Sequence, residues 1–365
     1  MVNFYDLFNL SPEMPVAEML PRLQAYRNWW VFRTNIPDRQ RCRHAERMAA
    51  LVEEAGVLLD DDRRAEYDRE LARHSAPPSS SAPALATTVE DSAPHLLESA
   101  WGLMHKARFA EAADVADRAV RLSRADAAAL AVRGYAHWQQ RRLDKAARDH
   151  KAALERDPAN PLLHHDLGWI LWEQGESDRA LETVRQAAQL APDTPFYTAS
   201  LGVLFRLRGD LDKAIQLLEE AHSHAPSLRS IENELALAYN QKGLSRFYYN
   251  PDDGLRYCLS KRSANEACCW FKKALRFEDK LFPDLHQEIY LHLDIAERMK
   301  NRKFVGHRGL LLGGILVSFL ALIIWPISGI VLGLATGVYA LRTTVPYWKL
   351  NRQMFPNARE PWQEE

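Results

Sequence analysis

Apolar residues return at helical spacing along most of the chain. Val16, Met19, Leu20, Leu23, Tyr26 and Trp30 fall mainly three or four residues apart, which puts them on one face of a helix. Met48, Leu51, Ala55, Leu58 and Leu59 form a further stripe of the same kind. A short opening segment, NFYDLFNL at residues 3–10 followed by Ser11-Pro12, precedes them, so residues 1–73 read as a small helical domain. Residues 75–94, SAPPSSSAPALATTVEDSAP, then break the pattern with proline and serine; an extended, flexible linker is expected over 74–95. Near the other end, the amphipathic stretch Leu285 to Met299 predicts a capping helix. Alternating runs are scarce, and Ala, Leu, Arg and Glu are plentiful, so the expected fold class is all-α.

Between linker and cap the pattern repeats every 34 residues. Gly134, Gly168 and Gly202 align, as do Ala146, Ala180 and Ala214; Ala153, Ala187 and Ala221; and Pro158, Pro192 and Pro226. Each unit reads as two helices, with small residues where the pair crosses closely and a proline where the second must end. A weaker unit precedes these, with Ala100, Ala112 and Ala119 in register but Arg124 at the proline position. A fifth follows, with Leu235, Ala236 and Tyr239 in its first helix and Ala267, Phe271 and Ala274 in its second, split by an insertion near 245–263. The inserted FYYNPDDG carries Asn-Pro and Asp-Gly pairs that signal a turn.

These columns resemble the tetratricopeptide repeat. The resemblance implies an α-solenoid over residues 96–300 whose first helices line a groove for a protein or peptide partner. It implies, too, that Tyr135, Trp138, His165, Asp166, Trp169, Trp172, Phe196 and Arg206 face that groove. So many aromatics suit an extended or helical apolar peptide, with Asp166 and Arg206 supplying polarity. The competing expectation puts Trp169 and Trp172 in the core between helices. Some members of the family grip chaperone carboxylates with a clamp of Lys, Asn and Arg. The comparable positions here hold Ala131, Tyr135 and Asp166 in one register and His165, Trp169 and Ser200 in the next, which cannot grip in that way.

Gly309 to Leu341 is an uncharged run of 33 residues, longer than a soluble core helix needs. One straight helix of that length would span about 50 Å against a hydrocarbon layer of about 30 Å. Pro326, Ser328 and Gly329 interrupt it near the middle, while Lys300, Arg302, Lys303 and Arg308 before it match Arg342, Lys349 and Arg352 after it. Basic flanks on both sides predict two cytoplasmic ends. The expectation is therefore a transmembrane hairpin over 305–348 and a cytoplasmic tail over 349–365. Gly329, Gly333 and Gly337, like Gly309 and Gly313, recur every fourth residue and leave flat faces on which the two hairpin helices can approach; a single kinked span that dimerises is the alternative. The N-terminus, with Asp6 and Glu13, lacks the pattern of a secretory signal, so the preceding domains are expected in the cytoplasm.

Charge and candidate chemistry narrow the function. A net charge of -1, from 47 basic and 48 acidic residues, offers no overall field to nucleic acid. Cys42, Cys258, Cys268 and Cys269 lack C-x-x-C spacing, and the 13 histidines lack further ligands at recognisable spacing, so neither metal nor cofactor is expected. The chain has no glycine-rich phosphate loop, nucleophile motif or paired-ligand spacing, which points away from an enzyme.

The opening FYDLFNLSP and the closing LLDDDRRAEYDREL of the first domain resemble the two ends of a J domain. J domains carry His-Pro-Asp between their second and third helices and use it to activate heat-shock ATPase chaperones. Here Ile36, Pro37 and Asp38 occupy that place. An apolar side chain cannot replace the polar contacts of imidazole, so normal stimulation is expected to be lost. Arg22, Arg27 and Arg33 are expected on a solvated helix face, or on a surface that meets an acidic partner. The resulting expectation is a membrane-anchored adaptor, cytoplasm-facing, with an active co-chaperone for a heat-shock ATPase as the alternative.

Overall fold

The computed structural model of the protein describes residues 2–74, 92–252, 255–300, 302–304 and 344–354, together with positions 315, 334–336, 338 and 340. Within these residues the regular structure is helical, apart from two short two-stranded ladders. Two compact units divide the chain, residues 1–234 and 235–365.

The first unit opens with a small bundle of α1 (Phe4–Leu7), α2 (Val16–Arg33), α3 (Arg39–Glu54), a 3-10 turn (Ala55–Leu59) and α4 (Asp61–His74). The Asn3 side chain accepts from the Tyr5 and Asp6 amides to cap α1, and Asp38 accepts from the Arg41 amide to cap α3. Phe8, Met19, Leu23, Trp30, Met48, Leu51 and Leu58 form the core. Tyr67 fastens α4 to the start of the chain, its hydroxyl accepting from the Phe4 amide at 2.8 Å and donating to the Val2 carbonyl at 2.9 Å. Leu20 departs from the expected stripe: it is 41% exposed, turned about 100° around the helix from the buried Met19.

Four helix pairs follow: α5 (Ala93–His105) with α6 (Phe109–Leu122), α7 (Ala127–Gln139) with α8 (Leu143–Arg156), α9 (Pro161–Glu173) with α10 (Ser177–Leu190), and α11 (Pro195–Arg208) with α12 (Leu211–His224). The small columns lie where helices cross: Ala146, Ala180, Ala214, Ala153, Ala187 and Ala221 are all buried. A Cβ on Gly134 would stand 2.6 Å from His150 Nδ1, so the α7–α8 crossing has no room for a larger residue there. The first pair lacks the terminating proline, and its helix ends instead through left-handed Arg124 and Ala125, with φ of 54° and 60°.

In the second unit, the portion of α13 (Arg229–Leu244) beyond the boundary packs Gly243 against the Phe271 ring of α14 (Lys261–Ala274). The insertion between them is an antiparallel pair, β1 (Tyr248–Tyr249) with β2 (Arg256–Tyr257), and Ser260 with Ser263 closes a capping box that starts α14. The predicted cap forms as α15 (Pro283–Lys300), burying Leu285, Ile289, Leu293 and Ala296. After it, β3 (Arg302–Phe304) pairs antiparallel with β4 (Thr344–Pro346), and α16 (Tyr347–Met354) continues from β4. Asn351 Nδ2 donates to the Cys258 carbonyl at 3.1 Å, which holds α16 to the residues just before α14. The expected flexible linker and the apolar run of the expected hairpin lie almost entirely outside the described residues. Among the described residues no helix is long and apolar enough to cross a membrane.

Candidate interaction groove

The first helices of the pairs, α5, α7, α9 and α11, present the groove columns, and the N-terminal bundle occupies them. At the centre is Asp166 on α9, 0% exposed. Arg41, from the first turn of α3, donates from Nε to Asp166 Oδ2 at 2.9 Å; Arg33, the last residue of α2, donates from Nη2 to Oδ1 at 3.4 Å. His165 Nδ1 lies 3.1 Å from the same Oδ1, and His150 Nε2 lies 3.8 Å from Oδ2. Aromatic rings enclose the charges: Arg33 sits 4.9 Å from the Trp138 ring and 5.0 Å from Trp29, and Arg41 sits 5.3 Å from Tyr135 and 5.6 Å from Trp101.

Burial acts on every titratable group in this cluster. It would raise the Asp166 carboxyl, but Arg41, His150, His165 and Arg33 outweigh it and hold the group well below the usual carboxylate range. Burial pushes His165 down to about 4 and His44, which packs on Tyr135, down to about 3. Both rings are therefore neutral at pH 7, while Arg41 and Asp166 keep their charges. The cluster can hold a guanidinium in a desolvated aromatic box; it has no nucleophile poised against a base.

Around the charges, apolar contacts extend the joint. Trp29 meets Trp169 with ring centroids 4.0 Å apart, and Phe32 stacks on Phe196 at 5.2 Å. Trp169 Nε1 donates to Ser200 Oγ at 2.8 Å, and Asn35 Nδ2 donates to Ser230 Oγ at 2.6 Å. Beside the joint a cavity of about 420 Å³ remains, bounded by Asp38, Arg41, Trp101, Asp126 and Leu162 among its walls.

Six of the eight predicted groove residues, Tyr135, Trp138, His165, Asp166, Trp169 and Phe196, thus gather on one surface, and it is covered from within the chain. Trp172 is half-buried at the end of α9, and Arg206 turns to Glu234, donating from Nη2 at 2.8 Å. At the expected J-motif position only the first side chain is buried: Ile36 is 4% exposed, Pro37 is exposed, and Asp38 is committed to the α3 cap and a 3.6 Å contact with Arg41. The expectation of a solvated face fails at Arg33, which is 1% exposed because Asp166 and two tryptophans replace its water. Arg33 instead meets an acidic side chain, the other expectation for it, whereas Arg41, Trp29 and Phe32 were not legible as site residues. The available signal was Trp29 and Phe32, aromatics on α2 that its own core stripe does not use.

Sequence models of the tetratricopeptide repeat match residues 97–161, 137–201 and 198–232. No curated protein matches the chain. Among solved structures, MamA is similar at 21% identity over 50% of this chain and 95% of that one, with a TM-score of 0.39. YrrB, described as a tetratricopeptide-repeat protein with an unusual peptide-binding site, is similar at 17% identity over 54% and 90%, with a TM-score of 0.39. PilF of Pseudomonas aeruginosa is similar at 14% identity over 74% and 95%, with a TM-score of 0.40. The helix pairs described above form a tetratricopeptide-repeat solenoid.

Proposed function

We propose that the protein is a membrane-anchored interaction adaptor in which a J-like domain, no longer a chaperone activator, is docked on a tetratricopeptide-repeat groove. The observation that carries the reading is the groove itself: a desolvated aromatic surface around Asp166 that already holds a helix by its aromatic and arginine side chains. Such a surface suits recognition of protein segments. The helix order of residues 4–74 and the ends FYDLFNLSP and LLDDDRRAEYDREL support the J-like assignment. The buried Ile36 argues against chaperone stimulation in this conformation, since the side chain at the histidine's place is withdrawn from solvent while Pro37 stays exposed. A membrane hairpin is supported by the uncharged run 309–341 with its basic flanks, and by the β3–β4 ladder, which returns the chain beside its point of departure.

Purification of the tagged full chain in mild detergent, followed by identification of what copurifies, tests the reading. A membrane-fraction protein together with discrete protein partners is the expected result. A chain that extracts without detergent and brings nothing down overturns it; a heat-shock ATPase as the main partner returns the co-chaperone alternative.

A further inference from the structure

We infer that the groove takes an external partner by exchange: an amphipathic helix bearing aromatic, aromatic and arginine side chains at positions i, i+3 and i+4 replaces α2, with Asp166 as the residue that selects the arginine. The inference rests on the adaptor reading and adds the chemistry of its partner. The internal occupant supplies the template. Trp29, Phe32 and Arg33 stand at that spacing on the last turns of α2, and they meet Trp169, Phe196 and Asp166 respectively.

Two features make the joint exchangeable. First, it is polar where an obligate core would be apolar. A buried Arg–Asp–Arg arrangement recovers little more than the desolvation of its charges, so it fixes register and partner choice more than it adds stability. The joint also leaves a polar atom unmatched: His165 Nε2 is buried without a hydrogen-bond partner among the described residues. Second, the docked bundle does not fill the groove. The cavity between Asp38 and α5, α7 and α9 leaves an opening at the edge of the Arg41–Asp166 contact, where an incoming side chain gains a foothold. The bundle belongs to the same chain as the groove it occupies, so its docking is intramolecular. An outside helix must therefore outcompete a local one, so the groove ignores weak aromatic segments and opens to those that also carry the arginine.

The test uses the full chain in detergent with a protease site placed in the segment 75–91. After cutting, the tether is gone and the contacts alone hold the bundle. Two synthetic probes are added, the peptide of residues 18–41 of this chain and the same peptide with Arg33→Gln and Arg41→Gln. The expected result is that the cut bundle stays associated on gel filtration, that the arginine peptide releases it, and that the glutamine peptide needs a concentration higher by about tenfold or more. In an Asp166→Asn chain the two peptides should differ by less than about threefold, and the unmutated chain decides the matter if that variant misfolds. Equal release by both peptides removes Asp166 as the selecting residue. Failure of both peptides to release the bundle shows a permanently closed groove and overturns exchange, while copurified partners would still uphold the adaptor reading on another surface.

Discussion

Two buried carboxylates of the first unit each hold arginine, yet they do different work. Glu234 takes Arg206 from 28 residues earlier, a contact between neighbouring helices of the solenoid. Asp166 takes Arg33 and Arg41 from 133 and 125 residues earlier, a contact between the solenoid and a separate bundle. The chemistry is nearly the same; the origin of the cation differs. A groove charge matched within the repeats belongs to the stack, whereas one left for an outside arginine becomes a joint.

The sharpest way to break this comparison is Asp166→Ala. Two arginines then lie buried without their anion, and the expected loss is about 3–5 kcal/mol in denaturant unfolding, accompanied by rapid proteolysis within α2 and α3. An unchanged melting temperature with α2 still protected would mean that the aromatic contacts alone make the joint.

Acid comes next. Unfolded histidine takes up a proton below its ordinary value of 6.5, but the folded rings do so only near 4 for His165 and near 3 for His44. Stability is therefore complete above about pH 6.5 and falls as pH drops toward 4, by about 2 kcal/mol per ring at pH 5. Asp166, held well below the usual range, stays ionised through this window, so the loss belongs to the histidines. Melting temperatures recorded from pH 8 to 4.5 check it, and a flat profile would show that the two rings are hydrated.

Glu234→Gln sharpens the other side of the comparison. It should cost about 1–3 kcal/mol, because a charge-assisted hydrogen bond becomes neutral, while α2 and α3 remain as protected as before. Trp172→Ala should have the smallest effect on folding, about 1 kcal/mol for a half-buried ring, and a larger one on capture of the partner. Unaltered capture with a large fall in melting temperature would return Trp172 to the core.

How much of this was legible follows from the range of each signal. The 34-residue columns expose the solenoid because every repeat restates the same crossing, and Gly134 against His150 shows why the column must stay small. The repeat register also put Tyr135, Trp138, His165, Asp166, Trp169 and Phe196 in related columns, and these six lie together against the N-terminal bundle. The occupant was not legible, since the pairing of Arg33 with Asp166 leaves no periodic trace and an arginine at a helix end ordinarily faces water. Ile36 was conspicuous as a departure from a motif, but its burial was not readable from the motif alone.

That long separation also sets a schedule during synthesis. A ribosome adds about 5–20 residues per second. Arg33 leaves it 133 residues ahead of Asp166, so the aromatic and arginine face of α2 exists for on the order of ten seconds before its seat has been translated. In that interval the nascent face is open to a waiting chaperone or to the finished groove of another copy. Pausing within the codons for α6 to α9 would lengthen the exposure, and faster elongation would favour docking in the same chain.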